Sequence, residues 1–294
     1  MNQIDIHADD YALSMNASRI ILEAVNKEQL HSTSILPNMS CFEEAAKLWK
    51  KELKEGRTPF LSIHLNFMEG YSCCEPGKLP LLTDENGLFN VTWLGLVKYN
   101  YNRQKRTEVK HQLKIEIRAQ IRKVTQVYCL GEKLRIDSHQ HTHMIPLVME
   151  ALLEVIDEEK LSVEFIRNTR EDWKIYLVKP GFYPTYRLIN IIKVILLNWY
   201  SLRNRKLLKD RDFPSMIFFG LLFSGKMDYE RVSCLLPILQ KRCHKRGKIL
   251  EVVLHPGGLL EEEIGIEFNE ASSVDFYLSE GRKIEKDTLE RIKE

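Results

Sequence analysis

The chain of 294 residues is 44% hydrophobic, which is enough apolar material for a sizeable core. We expect a single domain over residues 1–294, because this length is ordinary for one large α/β barrel. Lys and Arg number 43 against 41 Asp and Glu, so the net charge of +2 indicates no nucleic-acid partner. We interpret two basic clusters, residues 203–211 and 241–248, as solvated surface, since no aromatic residues for base stacking lie between their charges.

The N-terminal residues and the cysteines predict a cytoplasmic protein. MNQIDIHADD has no basic segment followed by an apolar one, as a secretory signal would. The 6 cysteines include no C-x-x-C pair, and we interpret them as free thiols. The most apolar window, residues 188–202, contains Lys193 and Asn198 and is too short to span a membrane. We predict an amphipathic helix there and keep contact with a membrane surface as the alternative.

Short β-rich runs alternate along the chain with segments of helical periodicity. The predicted strands are residues 3–8, 32–38, 59–66, 133–139, 162–168, 214–220 and 248–256. This repetition predicts a parallel α/β barrel of the TIM type, complete or slightly broken. In such a barrel the chemistry lies at the carboxyl ends of the strands.

The sequence also predicts helix ends and one long loop. Ser14 or Asn16 is the predicted N-cap of the first helix. Apolar residues between positions 109 and 128 recur every three or four residues, which predicts a long helix with Gly131 as its C-cap. Residues 69–92 are predicted to form a loop that serves as a lid or as a wall of the substrate site.

Polar side chains stand where the predicted strands end. Asp9 and Asp10 follow the first strand, His64 ends the third, Arg167 ends the fifth and His255 ends the last. Because the carboxyl ends of parallel strands meet at one rim, we expect these groups to converge.

The fourth strand leads into LRIDSHQHTH, residues 134–143. Its polar residues fall at every second position: Asp137, His139, His141 and His143. One carboxylate and two neutral imidazoles on a divalent ion leave coordination positions open, as in catalytic metal sites. A free carboxylate could then accept the proton of water and a histidine could protonate a leaving nitrogen, which suits amide hydrolysis.

Four motifs together carry a family resemblance. They are ADDYALS (8–14), SIHLN (62–66), DSHQHTHMIP (137–146) and LHPGG (254–258). In this order they resemble the motifs of the YdjC-like carbohydrate deacetylases, the chitooligosaccharide deacetylase family, from residue 4 to about residue 258. The resemblance implies a distorted (β/α) barrel related to the polysaccharide deacetylases. It also implies a metal-dependent hydrolase that removes the N-acetyl group from an amino sugar or short N-acetylated oligosaccharide and releases acetate.

The resemblance also implies individual roles. Asp10, His64 and His139 would bind one divalent metal ion, Asp9 would be the general base and His255 the general acid. The family's ion is magnesium, whereas two imidazoles and a carboxylate suit zinc or manganese better.

The remaining polar residues have open assignments. We expect Asp137 to orient an imidazole. His141 and His143 share the parity of His139 if the strand continues, so they line the pocket or support the ligands, although a helix near Pro146 would turn His143 away. Arg167 holds a sugar hydroxyl, braces a carboxylate or forms a rim salt bridge.

The sequence departs from the family in two places. Tyr11 and Ala12 replace the usual Phe-Gly after the aspartate pair, so that turn is made without glycine. The family's Arg-Glu-Leu stretch near the C-terminus has only a loose counterpart in Arg282 and Glu285. Residues 66–106 and 170–215 match nothing that indicates substrate choice.

Two alternative functions stay open at this stage, and so does the oligomeric state. A phosphoesterase or an amidohydrolase also uses His-x-His at a strand end, although generally on the first strand. A non-catalytic sugar-binding relative would keep the pocket without turnover. A homodimer is compatible with the sequence.

Overall fold

The computed structural model describes residues 4–268 and 271–292, and seven strands alternate with helices in this part of the chain. The strands are Ile4–Tyr11 (β1), Ser32–Ile35 (β2), Phe60–Leu65 (β3), Leu134–Ser138 (β4), Val163–Ile166 (β5), Met216–Phe219 (β6) and Ile249–Leu254 (β7). The helices are Met15–Asn26 (α1), Phe42–Glu52 (α2), Trp93–Tyr101 (α3), Arg106–Val127 (α4), Pro146–Glu158 (α5), Leu188–Asn204 (α6), Tyr229–Lys245 (α7), Ala271–Leu278 (α8) and Glu280–Arg291 (α9). All seven predicted strands are confirmed, except that Gln3 lies outside the described residues.

The strands form one parallel sheet in the order β5-β4-β3-β2-β1-β7-β6. The sheet curls so that its two edges approach, and Glu171, beyond β5, pairs with Phe218 of β6. The fold is therefore a distorted, incompletely closed barrel, as predicted. Its strands are buried almost throughout, and β6 and β7 accordingly have near-continuous apolar sequences.

The helix ends agree with the predictions in part. Ser14 is the N-cap of α1, and its side chain accepts a hydrogen bond from the Ala17 amide at 3.0 Å. Helix α4 ends at Tyr128, whose backbone is extended, so the prediction that Gly131 is the C-cap is wrong. Gly131 has φ +83° and lies in the turn that leads to β4.

The end of β1 is bent. The pairing register between β1 and β2 shifts between Ala8 and Tyr11, and Asp10 has φ +73°. Ala12 also adopts a left-handed backbone, φ +68°, so the turn is made without glycine. This kink re-aims the Asp10 side chain relative to that of Asp9, as bulges beside functional sites do.

Other predicted features can also be compared with the structure. Within the described residues no helix has the length and apolar character needed to cross a bilayer. All six cysteines are free. Residues 69–92 contain no helix, and α4 anchors this loop through Glu116, whose carboxylate accepts the Cys73 amide at 2.9 Å and the Cys74 amide at 3.2 Å. The role of the loop as lid or wall stays a prediction.

Candidate metal and catalytic site

Asp10, His64 and His139 come together from three strand ends. Asp10 Oδ1 lies 3.2 Å from His139 Nδ1 and 3.6 Å from His64 Nε2. One potential ligand atom from each residue lies within 4.8 Å of the other two. All three residues are buried, and none is more than 6% exposed as a whole residue. The rim therefore gathers one carboxylate and two imidazoles around one point.

Asp137 determines which nitrogen of His64 faces this point. Its Oδ1 accepts a hydrogen bond from His64 Nδ1 at 2.6 Å, which leaves Nε2 directed toward Asp10. Burial lowers the pKa of His64, but the carboxylates of Asp137 and Asp9 more than compensate and raise it to about 10. The position thus strongly favours a positive charge.

His139 is held in a similar way from the opposite side. Its Nε2 lies 2.7 Å from the hydroxyl of Tyr277, and that hydroxyl donates to Glu69 Oε2 at 2.8 Å. Because Tyr277 donates onward to Glu69, His139 Nε2 must be the donor and Nδ1 keeps its lone pair. Both imidazoles therefore present an unprotonated nitrogen beside Asp10 when neutral.

The second oxygen of Asp10 is also occupied, since Oδ2 accepts from Arg282 Nη2 at 2.9 Å. Burial raises the pKa of Asp10, but the charge of Arg282 brings it well below its ordinary value. Asp10 is thus a carboxylate with Oδ1 left for a cation. Two nitrogens and one carboxylate oxygen with fixed orientation fit a catalytic divalent metal.

Arg167 neutralises the remaining carboxylates. Its Nη1 donates to both oxygens of Asp9 at 2.9 and 3.0 Å, its Nη2 lies 3.0 Å from Asp137 Oδ2, and its Nε donates to Glu251 at 3.0 Å. The side chain has no exposed surface. Arg167 therefore braces carboxylates inside the barrel.

Asp9 lies beside the metal candidate and is held from several directions. Its Oδ1 accepts from Ser34 Oγ at 3.0 Å and lies 3.0 Å from His7 Nε2. Burial raises the pKa of Asp9, but Arg167 and the neighbouring histidines bring it well below the ordinary value. Asp9 is therefore an oriented carboxylate at neutral pH.

His255 faces Asp9 across the same space, with Nε2 3.9 Å from Asp9 Oδ2. Its Nδ1 donates to Glu285 Oε2 at 3.1 Å, and the same oxygen accepts the His255 amide at 2.6 Å. The side chain of His255 is 16% exposed, against 3% for that of Asp9. Among the groups around Asp9, His255 is thus the one nearest to solvent, and Glu285 directs its Nε2 toward the site.

Comparison with known sequences identifies the family of this chain. The profile of the family described as YdjC-like protein matches residues 3–291. The chain belongs to the YdjC-like family.

Named relatives of this YdjC-like chain include several deacetylases. The carbohydrate deacetylase of Thermoanaerobacter pseudethanolicus is 30% identical over 62% of this chain and 66% of that protein. The carbohydrate deacetylase of Brevibacillus brevis is 29% identical over 54% and 58%, and the chitooligosaccharide deacetylase of Klebsiella pneumoniae is 26% identical over 55% and 59%. The chain thus aligns with about six-tenths of the length of these relatives.

A solved structure shares the fold of this YdjC-like chain. It is an Enterococcus faecalis protein named for cellobiose-phosphate cleavage, with a TM-score of 0.60 and 18% identity. The match covers 97% of this chain and 94% of that one. The predicted family and fold class are therefore confirmed.

The YdjC-like chain differs from the prediction at His141 and His143. The strand ends at Ser138, and residues 139–144 form a 3-10 turn in which Gln140 and His141 have positive φ. The argument from strand parity is therefore wrong. His143 has no exposed surface, with Ser138 Oγ 2.6 Å from its Nδ1 and the Arg167 carbonyl 2.8 Å from its Nε2, so its contacts are structural.

His141 lies against Phe218, with ring centroids 5.3 Å apart. Burial and the charge of Arg167 lower the pKa of His141 well below its ordinary value, so the ring is neutral. Within the part of the chain that the structure describes, its buried Nδ1 has no hydrogen-bond partner.

The sequence prediction for this YdjC-like chain missed several supporting residues. They are His7, Ser34, Glu69, Glu251, Tyr277, Arg282 and Glu285. One of them carried a signal, because Glu251 is a charged residue inside the otherwise apolar strand β7. Arg282 and Glu285 lay in the loosely matching C-terminal stretch. Tyr277 and Glu69 had no sequence signal.

Proposed function

We propose that this protein is a metal-dependent hydrolase that removes the N-acetyl group from an amino sugar or a short N-acetylated oligosaccharide. The observation that carries the proposal is the meeting of Asp10, His64 and His139 beside Asp9 and His255. The names of the relatives support deacetylation of a carbohydrate as the reaction.

Asp10 Oδ1, His64 Nε2 and His139 Nδ1 would hold the divalent ion. When bound, the ion acidifies a water molecule and polarises the amide carbonyl. The family resemblance implies magnesium, whereas the two imidazoles favour zinc or manganese. All three ions therefore remain candidates.

Asp9 and His255 would transfer the protons. The Asp9 carboxylate accepts a proton from the attacking water, and Arg167 holds it in one orientation while it does so. His255 donates a proton from Nε2 to the amine nitrogen as the carbon–nitrogen bond breaks, and Glu285 at Nδ1 stabilises the charged ring before that transfer. The products are acetate and a free amine.

The proposed function is tested by an acetate-release assay on N-acetylated amino sugars and their short oligomers, with phosphoesters in parallel. We expect acetate release and no phosphate release. Phosphate release alone would make the protein a phosphoesterase, and binding of sugar without release of either product would make it a non-catalytic relative.

Two variants test the separate roles. Asp10→Asn should lose metal binding in calorimetry together with activity. His255→Gln should bind metal normally but lower kcat by roughly a hundredfold to ten-thousandfold, since one proton donor is removed. His111→Gln, an exposed histidine on α4, is the matched control and should change neither property. Full kcat in His255→Gln would rule out its role as the acid.

A further inference from the structure

Helix α6 has apolar residues on its outward face as well as on its buried face, where Val194, Leu197 and Tyr200 lie. Leu188, Ile192, Ile195, Trp199 and Leu202 follow one another at intervals of four and three residues, which aligns them on one face. That face is exposed, with Leu188 at 71%, Ile195 at 65% and Leu202 at 53%. A helix on the surface of a water-soluble protein would turn these apolar side chains toward the core.

The inner face of the same helix carries amides. Asn190 donates to the Leu222 carbonyl at 3.0 Å, and Asn204 donates to the Met144 carbonyl at 2.8 Å. Both asparagines are buried. The outward direction of the apolar residues is therefore built into the packing of α6, and rotation of the helix would break these hydrogen bonds.

The exposed apolar residues are concentrated in this region. Of the 19 large hydrophobic residues that are exposed in the described part of the chain, 11 lie between Trp173 and Leu207. We call the set Trp173, Leu177, Leu188, Ile192, Ile195, Trp199 and Leu202 the α6 surface. A concentration of this kind marks a binding surface, whereas scattered single residues do not.

The charge of the same segment indicates the partner. Residues 173–209 contain 8 Lys and Arg and no Asp or Glu, while the whole chain has a net charge of +2. The remainder of the chain is thus acidic by 6 charges. A basic segment with aromatic and aliphatic side chains complements an anionic lipid surface.

A cavity of about 470 Å³ adjoins the α6 surface. Trp173 and Leu202 line it together with three basic residues, Arg170, Arg246 and Lys248, and two acidic ones, Glu171 and Asp172. Burial and the charges of Arg170 and Arg246 lower the pKa of Lys248, which reflects the excess of positive charge around it. Asp172 pairs with Arg246 at 3.4 Å, so a headgroup phosphate in this cavity would compensate mainly the charges of Arg170 and Lys248.

We propose that the α6 surface docks the protein on an anionic phospholipid membrane, with the apolar stripe in the interface and a headgroup phosphate in the adjoining cavity. The contact is peripheral. It is independent of the deacetylation proposed above, because none of these residues belongs to the metal and catalytic site.

The proposal is tested by flotation of the full chain with vesicles of phosphatidylcholine alone or of equal parts phosphatidylcholine and phosphatidylglycerol. We expect binding to the anionic vesicles only, weakened by added salt. Ile195→Asp should weaken it on the order of tenfold or more, since a charge replaces a side chain that enters the interface. Ile266→Asp is the matched control, because Ile266 is 76% exposed but lies outside the α6 surface.

A charge-reversal pair tests the electrostatic part. The double variant Lys206→Glu/Lys209→Glu should also weaken vesicle binding. The double variant Lys241→Glu/Lys245→Glu is the control and should have the smaller effect. All four lysines are exposed. Equal binding to both vesicle types, or unchanged binding of Ile195→Asp, would overturn the proposal. So would a lipid-free dimer that Ile195→Asp converts to a monomer in analytical ultracentrifugation, because a second copy would then be the occupant.

Discussion

Each proposed imidazole ligand has its second nitrogen committed to another residue. Asp137 takes Nδ1 of His64, and Tyr277 takes Nε2 of His139. Such contacts determine the tautomer and the direction of a ring before any ion binds, so they contribute to affinity without touching the ion. The kinked backbone at Asp10 adds a third element of preorganisation.

At this residue scale, Tyr277→Phe is the informative change. It removes the hydroxyl between His139 and Glu69 but keeps the ring that packs against Phe268. We expect the affinity for the divalent ion to fall by roughly tenfold to a hundredfold, measured by calorimetry. Tyr183→Phe, which removes an exposed hydroxyl, serves as the control. An unchanged affinity would mean that Tyr277 has only a packing role.

At the scale of elements, the segment after β5 joins the two edges of the sheet. Glu171 Oε1 accepts the amides of Gly220 and Leu221 at 2.8 and 2.7 Å, and Asn198 of α6 bonds the backbone of Glu171. The carboxyl group is buried, and burial raises its pKa from 4.5 to about 7. The junction of loop, α6 and β6 thus depends on one buried acid.

This acid predicts a pH dependence of stability. Because the pKa of Glu171 is higher in the folded than in the unfolded chain, its protonated form stabilises the fold fully below about pH 4.5, and that stability is lost as the pH rises through about 7. The effect is at most about 3 kcal/mol in the free energy of unfolding. Glu171→Gln keeps an oxygen for the two amides and should remove this slope between pH 5 and pH 8 in urea titrations.

The control for that titration is Glu262→Gln, a substitution at an exposed position. It should leave the dependence of stability on pH as it is in the parent protein. If Glu171→Gln and the parent lost stability in parallel over this range, another buried group would be responsible.

At the scale of the whole molecule, the proposed metal would link β1, β3 and the end of β4, three segments far apart in sequence. An ion that binds only the folded chain stabilises it by about 2.7 kcal/mol at a hundred times its Kd. For a chain of this length we expect the melting temperature to rise by about 4 °C when metal is returned to chelator-treated protein. Scanning calorimetry with magnesium, manganese and zinc measures this shift and ranks the ions.

Asp10→Asn provides the control for the melting experiment. Its melting temperature should be insensitive to metal. An equal shift in the variant would place the bound ion elsewhere, for example among Asp5, His7 and Glu251, which also lie close together.

The strands, the helices between them and the family were predictable from sequence, because a buried parallel strand is a short apolar run with few competing interpretations. The long-range partners of the site were not. Arg282 stands 272 residues from Asp10, and Tyr277 stands 138 residues from His139. Contacts between residues so far apart in sequence produce no local sequence pattern. At His141 and His143 the extended strand on which the parity argument depended does not continue, since two left-handed residues end the alternation.

The sequence by itself determined the order of strands and helices, the barrel class and the residues that stand at its rim. Those properties follow from hydrophobic periodicity and from the chain direction of parallel strands, which are local. Only the tertiary structure decided which rim residues share a site, which nitrogen of each histidine faces it and which face of α6 is turned outward. These three properties depend on contacts between segments that are distant in sequence. Examples are the contacts of α9 with β1 and of α6 with the turn after β4. Only the packing of the whole chain selects such contacts.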